Sequence, residues 1–347
     1  MNLLMLINTA GLDYDDRLRK EVLSLQELGI QVQVVALEYK NLAGEQIIYG
    51  HTSALTIHLC SRSWFPRSRG LLVKTIEMYW RFFVQILKRK PQMLWVHNLE
   101  VFGLMPVLIA MRKAGIVKRL IWDQHELPSD SLLANRAYMS LYCMLVNGCD
   151  VVVMANKERR DLILRKVKIT SPVYVLYNYP DRVFHRLPKK ALPQMVLDWL
   201  QNMPYVLAQG GANPDRHLRE LVNAIMQQSD VKLIVVGPYH ESQLDEFNRE
   251  YGEEWRSKIL FTGFVPQLDI TPYIDHAIAS VVFYAMKSEN SRLCAPNRLY
   301  QALSRGVPVI VGPNPPMRQL VEKTKCGIVV EHDDPRSILQ GIQEIRS

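Results

Sequence analysis

The segment SENSRLCAPNRLYQALSRGVPVIVG, residues 288–312, runs from a polar loop through a short helical pattern into an apolar strand. Wound at 100° per residue, Leu299, Tyr300, Ala302 and Leu303 fall on one arc, and Asn297, Arg298, Gln301, Ser304 and Arg305 on the other. Asn297 suits an N-cap and Gly306 a C′ position. One short helix is therefore predicted, with its apolar side on a sheet. Its amino end opens onto a loop carrying Lys287, Glu289, Asn290 and Arg292. Free amides and the helix dipole at such an end suit an anion. The same pattern also fits an ordinary capped helix after a surface loop, and periodicity alone does not choose between them.

Outward from this segment, short apolar runs recur along the whole chain. The first series is Leu3–Ile7, Gln31–Ala36, Met93–Val96, Leu120–Trp122, Val151–Met154 and Val173–Leu176. The second is Tyr205–Ala208, Lys232–Val236, Ile259–Phe261, Ala279–Phe283, Val307–Val311 and Gly327–Val330. Near-continuous apolarity suits strands covered on both faces. Amphipathic stretches such as Asp16–Leu28, Leu218–Gln228 and Met317–Lys323 lie between them. This alternation predicts a doubly wound α/β architecture. The stretch NYPDRVFHRLPKKALPQ, residues 178–194, breaks the rhythm with three prolines and five basic residues. The expected organisation is a Rossmann-like domain over 1–180, a linker over 181–200 and a second Rossmann-like domain over 201–347, with the last helix able to return onto the first domain. Ligands of such sheets bind outside the carboxyl ends of the strands, so a central cleft between two facing domains is the default site.

Composition narrows the function classes. The chain has 347 residues, 48% hydrophobic and 22% charged, with a net charge of +8. That excess favours anionic partners such as phosphate-bearing ligands or anionic lipid. The basic residues are not interleaved with aromatics in a nucleic-acid pattern, so no nucleic-acid partner is expected. Five cysteines without a CxxC argue against a disulfide framework or structural zinc and for a reducing compartment. The start, MNLLMLINTAG, lacks a basic leader region and reads as a first buried strand. A cytoplasmic protein is expected, with the inner face of the plasma membrane as one setting.

In the second half, strand Tyr205–Ala208 runs into Gly210-Gly211 and then Arg216 ahead of a helix; VVG ending at Gly237, FTGFV at Phe261–Val265 and PNRLYQALSRGVPVI from Pro296 follow in order. This succession resembles the retaining nucleotide-sugar glycosyltransferases of the GT-B fold, in the large family numbered four. The resemblance implies that Arg216 touches the donor diphosphate and that backbone near Phe264-Val265 reads the base. It implies that Gly210 and Gly211 let backbone approach the donor, and that the loop from Glu289 to Asn297, with Lys287, Asn290 and Arg292, holds its sugar and phosphates. The family places one glutamate where this chain has Gln301 and an earlier one where it has Leu293; Glu289 is the candidate substitute. No cofactor or metal is implied beyond the nucleotide-sugar co-substrate.

The first half resembles the family more loosely, through DYDDRLRKEVLSLQELGIQVQVV, VHN at 96–98, IWDQHE at 121–126, VVVMANKE and VYVLYNYPD. His125 stands just past a strand, where a comparable histidine of the family contacts the donor sugar; a core histidine satisfied by backbone is the alternative. Asp16, Arg17, His97 and Glu126 are the acceptor-side candidates, although Asp16 and Arg17 also read as a helix-start pair. His125, Arg216 and Glu289 are the candidates for catalysis. Residues 62–90, basic and aromatic, fit either an anionic membrane surface or a core helix with a solvated basic face. The resemblance implies a metal-independent transfer, with retention, to a glycan or lipid-linked acceptor in surface polysaccharide or glycolipid assembly. A non-catalytic GT-B-like binding or scaffold subunit, or another GT-B-like enzyme such as a sugar epimerase, remains open.

Overall fold

The computed structural model describes residues 2–65 and 69–347, so residues 66–68 of the basic segment lie outside the description. The chain divides into two compact units, Met1–Tyr177 and Asn178–Ser347.

The first unit holds one sheet of eight strands: β1 (Asn2–Asn8), β2 (Gln31–Leu37), β3 (Gly44–Ile48), β4 (Thr52–Ile57), β5 (Met93–His97), β6 (Arg119–Gln124), β7 (Val151–Met154) and β8 (Val173–Val175). Their order is β3-β4-β2-β1-β5-β6-β7-β8. Every neighbouring pair is parallel except β3 with β4. The central strands are apolar because helices cover both faces; Leu3 to Ile7 is wholly buried. The β3–β4 hairpin escapes a search for continuous apolar runs. β3 forms the sheet edge and is mostly exposed, and β4 beside it alternates buried and half-buried positions over its first four residues, as half-covered strands do.

The second unit has six strands: β9 (Tyr205–Gln209), β10 (Lys232–Val236), β11 (Ile259–Gly263), β12 (Ala279–Val282), β13 (Val309–Val311) and β14 (Gly327–Val329). Their order is β11-β10-β9-β12-β13-β14, all parallel. In both units the order reverses beside the first strand, between β1 and β5 and between β9 and β12. Doubly wound sheets place ligands at the carboxyl ends of the strands flanking such a reversal.

The segment expected as a linker is part of the second unit. Phe184, Leu192, Val196 and Leu200 are buried in that unit's core. Arg305 pairs with Asp275 and donates to the carbonyls of Phe184, His185 and Leu187. The prolines thus punctuate two short helices, Arg182–Arg186 and Gln194–Leu200, and the boundary falls earlier, between Tyr177 and Asn178. The last helix, Pro335–Arg346, buries Ile338 and Ile342 in its own unit's core.

Candidate functional site

At the reversal of the second sheet, β9 ends at Gln209 and the chain turns through Gly210 (φ 100°) and Gly211 (φ 71°). Both amides donate to the carbonyl of Val236, at 2.7 and 2.9 Å. A Cβ on Gly210 would lie 1.1 Å from Arg216 Nη1 and 2.9 Å from Arg298 Nη1, so the missing side chain makes room for two guanidiniums. Arg216 ends a 3-10 turn, Pro214–Arg216, whose first free amide is taken by the Asn213 side chain at 2.9 Å. Its Nη1 donates to Gln209 O at 3.1 Å.

The second guanidinium comes from the opening segment, where the structure changes the reading. The helix spans Asn297–Ser304 with Pro296 at the N-cap, and Asn297 is its first residue rather than its cap. The expected polar arc does not face solvent. Arg298 is 7% and Gln301 3% exposed. Arg298 donates to Gln209 O and, at 2.9 Å, to Phe283 O, capping the carboxyl end of β9 and the residue after β12. The Tyr284 ring lies 4.6 Å from the Arg298 guanidinium and 5.7 Å from that of Arg216, within cation–π reach.

Burial, with the nearby Arg216 charge adding to it, lowers the Arg298 pKa to about 10, so Arg298 remains a cation at neutral pH. Among the described residues neither forms an ion pair with a carboxylate, and the buried Nε of each has no hydrogen-bond partner. Two adjacent cations at a strand end without a counter-charge are suited to bind an anion.

The other predicted donor residues are placed as follows. Phe264 is exposed and Val265 packs on the core just past β11. Lys287 reaches Asp215 at 2.9 Å across a solvated surface. Glu289 and Arg292 pair within the short helix Glu289–Arg292, capped by Ser288, with Asn290 between them. Leu293, where the family has its earlier glutamate, is buried at 5%. The chain therefore gathers Gly210, Gly211 and Arg216 at one strand end, with Asn297 and Gln301 on the helix that carries Arg298. Arg298 and Tyr284 were not singled out from the sequence. The only hint was the basic residue after Asn297, which periodicity assigned to solvent.

At the reversal of the first sheet lies a second charged cluster. Asp15, not Asp16, caps helix Asp16–Glu27 by accepting from Leu18 N at 3.0 Å. Asp16 pairs along the helix with Arg19 and Lys20 at 2.7 and 2.9 Å. Arg17 turns inward: Nη2 reaches both Asp123 oxygens at 2.9 and 3.0 Å, Nε reaches Glu21 at 3.0 Å and Nη1 the Leu176 carbonyl at 3.1 Å. His97 closes β5, with its Nδ1 3.4 Å from His125 Nε2. His125 follows β6, partly exposed, 3.6 Å from Asp123. Glu126 is exposed.

Burial works against the Asp123 carboxylate, yet the charges of His125 and Arg17 hold its pKa far below the usual range. Burial, reinforced by Asp123, drives Glu21 well above it. Burial also drives His97 down to about 3 against the pull of Asp123, so its imidazole is neutral. One ligand atom each from His97, Asp123 and His125 lies within 4.8 Å of the others, a spacing a metal ion could bridge. The Arg17 guanidinium already occupies that carboxylate, and a dication there would meet it at close range, so the donor set does not fit one.

Comparison with known proteins fits these features. Residues 205–347 match the family model described as Glycosyl transferases group 1. Over the full length the chain is similar to a sucrose-phosphate synthase from Thermosynechococcus elongatus (14% identity, TM-score 0.75, covering 100% of this chain and 90% of that one). It is also similar to the E. coli structure described as "Trehalose-6-phosphate from E. coli bound with UDP-2-fluoro glucose" (10% identity, TM-score 0.73, 100% and 91%). A third is an Anabaena protein, HepE, in complex with UDP (13% identity, TM-score 0.68, 99% and 89%). No curated protein matches this sequence. The fold is GT-B, and the resemblance to glycosyltransferases drawn from the motifs is borne out over residues 205–347 by the group 1 family model.

Proposed function

We propose that the chain transfers a sugar, with retention and without a metal ion, from a nucleotide diphosphate sugar to a hydroxyl of a glycan or lipid-linked acceptor in surface polysaccharide or glycolipid assembly. The observation that carries this reading is the pair Arg216 and Arg298, uncompensated at the end of β9. A diphosphate supplies the counter-charge the pair lacks, and it is also the leaving group. The acceptor oxygen bonds to the anomeric carbon as the bond to the diphosphate breaks, and the hydroxyl proton passes to the departing phosphate oxygen. Charge grows on that oxygen in the transition state, where fixed guanidiniums stabilise it more than in the ground state. Among the structural relatives one is bound with UDP-2-fluoro glucose and another is in complex with UDP, which supports a nucleotide ligand.

Thermal-shift measurement with UDP-, GDP- and dTDP-sugars tests the reading, with a CMP-sugar, which carries one phosphate, as the contrast. One of the three diphosphate sugars should raise Tm in wild type and leave Arg216→Ala unmoved. No response to any of the three in wild type, or a response to the CMP-sugar alone, would defeat it. A second reading, a subunit that binds the donor without turnover, draws on buried Leu293 and on Gln301 in place of the two glutamates. Release of free nucleotide from the stabilising donor, without acceptor, separates the two: turnover supports the enzyme, and binding without turnover supports the subunit.

A further inference from the structure

We infer that the outer face of helix Leu71–Arg89 docks onto an anionic lipid bilayer. A surface helix on a sheet normally carries one apolar stripe. This one carries two. Met78, Phe82 and Ile86 are buried inward. Leu72, Ile76, Trp80 and Leu87 recur on the opposite side at helical spacing and are exposed, Leu72 at 73% and Trp80 at 64%. Trp64, in the preceding short helix, is exposed as well.

The charge chooses the occupant. Residues 62–90 contain eight lysines and arginines against the single acid Glu77, so this segment alone equals seven of the chain's eight net positive charges. Glu77 is itself engaged. Although burial opposes it, hydrogen bonds from Ser61 and Cys60 and the Arg81 side chain lower its pKa to about 2. A second copy of the chain would bring the same positive field against this one, whereas an anionic bilayer answers it. Exposed tryptophan and leucine beside basic residues is the composition of an interfacial helix.

Topology sets where the bilayer would lie. β4 ends at the carboxyl edge of its sheet and β5 begins at the amino edge, so the helix between them starts at the carboxyl edge. Leu72, Ile76 and Trp80 are in its first half, on the edge where His97 and His125 also stand. Docking there would bring a lipid-linked acceptor to that edge; this last point rests on the function proposed above, while the docking itself does not.

Co-sedimentation with phosphatidylcholine vesicles, with and without about 30% phosphatidylglycerol, tests the inference on the full chain. Wild type should pellet with the anionic vesicles only, and the bound fraction should fall at least tenfold when salt rises from 0.1 to 0.5 M. Ile76→Glu with Trp80→Glu should abolish pelleting, and Met144→Glu, at an exposed site on another helix, should not. Folded wild type that ignores anionic vesicles overturns the inference. So does a concentration-dependent dimer in light scattering that the double variant dissolves, since a second copy then covers the face. Nucleotide-sugar thermal shifts on the same samples keep the two proposals apart: the double variant should respond as wild type does.

Discussion

The two sheet reversals present opposite electrostatics. In the first unit Arg17, Asp123 and Glu21 are packed into a cluster that answers its own charges, with a neutral His97 against it. In the second, Arg216 and Arg298 crowd one carbonyl and, among the described residues, neither pairs with a carboxylate. A reversal beside the first strand thus carries a finished Arg17–Asp123 ion pair in one unit and an unfinished one in the other. A buried pair that is complete stabilises its surroundings or is roughly neutral, whereas adjacent cations without a partner favour whatever anion can enter. On the function proposed above, the second of these would take the donor diphosphate.

The largest expected effect comes from breaking the finished side. Arg17→Met removes the guanidinium that reaches both oxygens of the buried Asp123 carboxylate, and should lower unfolding free energy by about 3–5 kcal/mol, read from urea denaturation. Should stability survive intact, the first cluster is not the closed network described. On the unfinished side, Arg216→Ala should leave stability within about 1 kcal/mol of wild type. It should lower kcat for the stabilising donor roughly a hundredfold, equivalent to about 3 kcal/mol of transition-state binding. A stability loss equal to that of Arg17→Met would erase the contrast.

Titration sharpens the first cluster further. His97 falls from an ordinary 6.5 to about 3 on folding, so its contribution is fully present above pH 6.5 and is lost as pH falls toward 3. Glu21, raised on folding, acts in the opposite sense: its contribution is present below the usual carboxylate value and fades as pH rises. The difference between wild type and His97→Gln isolates the imidazole. Wild type should lose ground to the variant by up to about 1.4 kcal/mol per pH unit below pH 6.5, measured by denaturation at stepped pH. Parallel curves would mean that His97 is not held neutral.

The smallest effect is expected at Gly210→Ala. The added methyl must displace the end of the Arg216 side chain, and the backbone sits at φ 100°, a strain of about 1–2 kcal/mol. Donor KM should rise several-fold with kcat less affected. An unchanged KM would place the donor away from this glycine.

Much of the architecture was legible because its signal is local. Lys232–Val236 and Val151–Met154 match their strands residue for residue, since a strand covered on both faces must be apolar throughout. The β3–β4 hairpin was not legible, because an edge strand covered on one side shows only a short alternation. The expected linker over residues 181–200 differs from the structure for another reason: prolines and lysines signal irregular backbone, but Phe184, Leu192 and Val196 among them find a core. At the site, Arg216 and the glycine pair announce themselves in one stretch of chain. Arg298 does not, because a helical wheel distinguishes polar from apolar faces but not solvent from a strand end.

By itself, then, the sequence determined the elements, their doubly wound alternation and the motifs that place Gly210, Gly211 and Arg216 after β9, all properties of residues within a turn or two of one another. Only the tertiary structure decided that Arg298 caps the same carbonyl as Arg216, that Arg17 pairs with Asp123, and that helix Leu71–Arg89 leaves a second apolar stripe uncovered. Those outcomes depend on which residues, far apart in sequence, share a buried volume, and on whether the charges meeting there cancel.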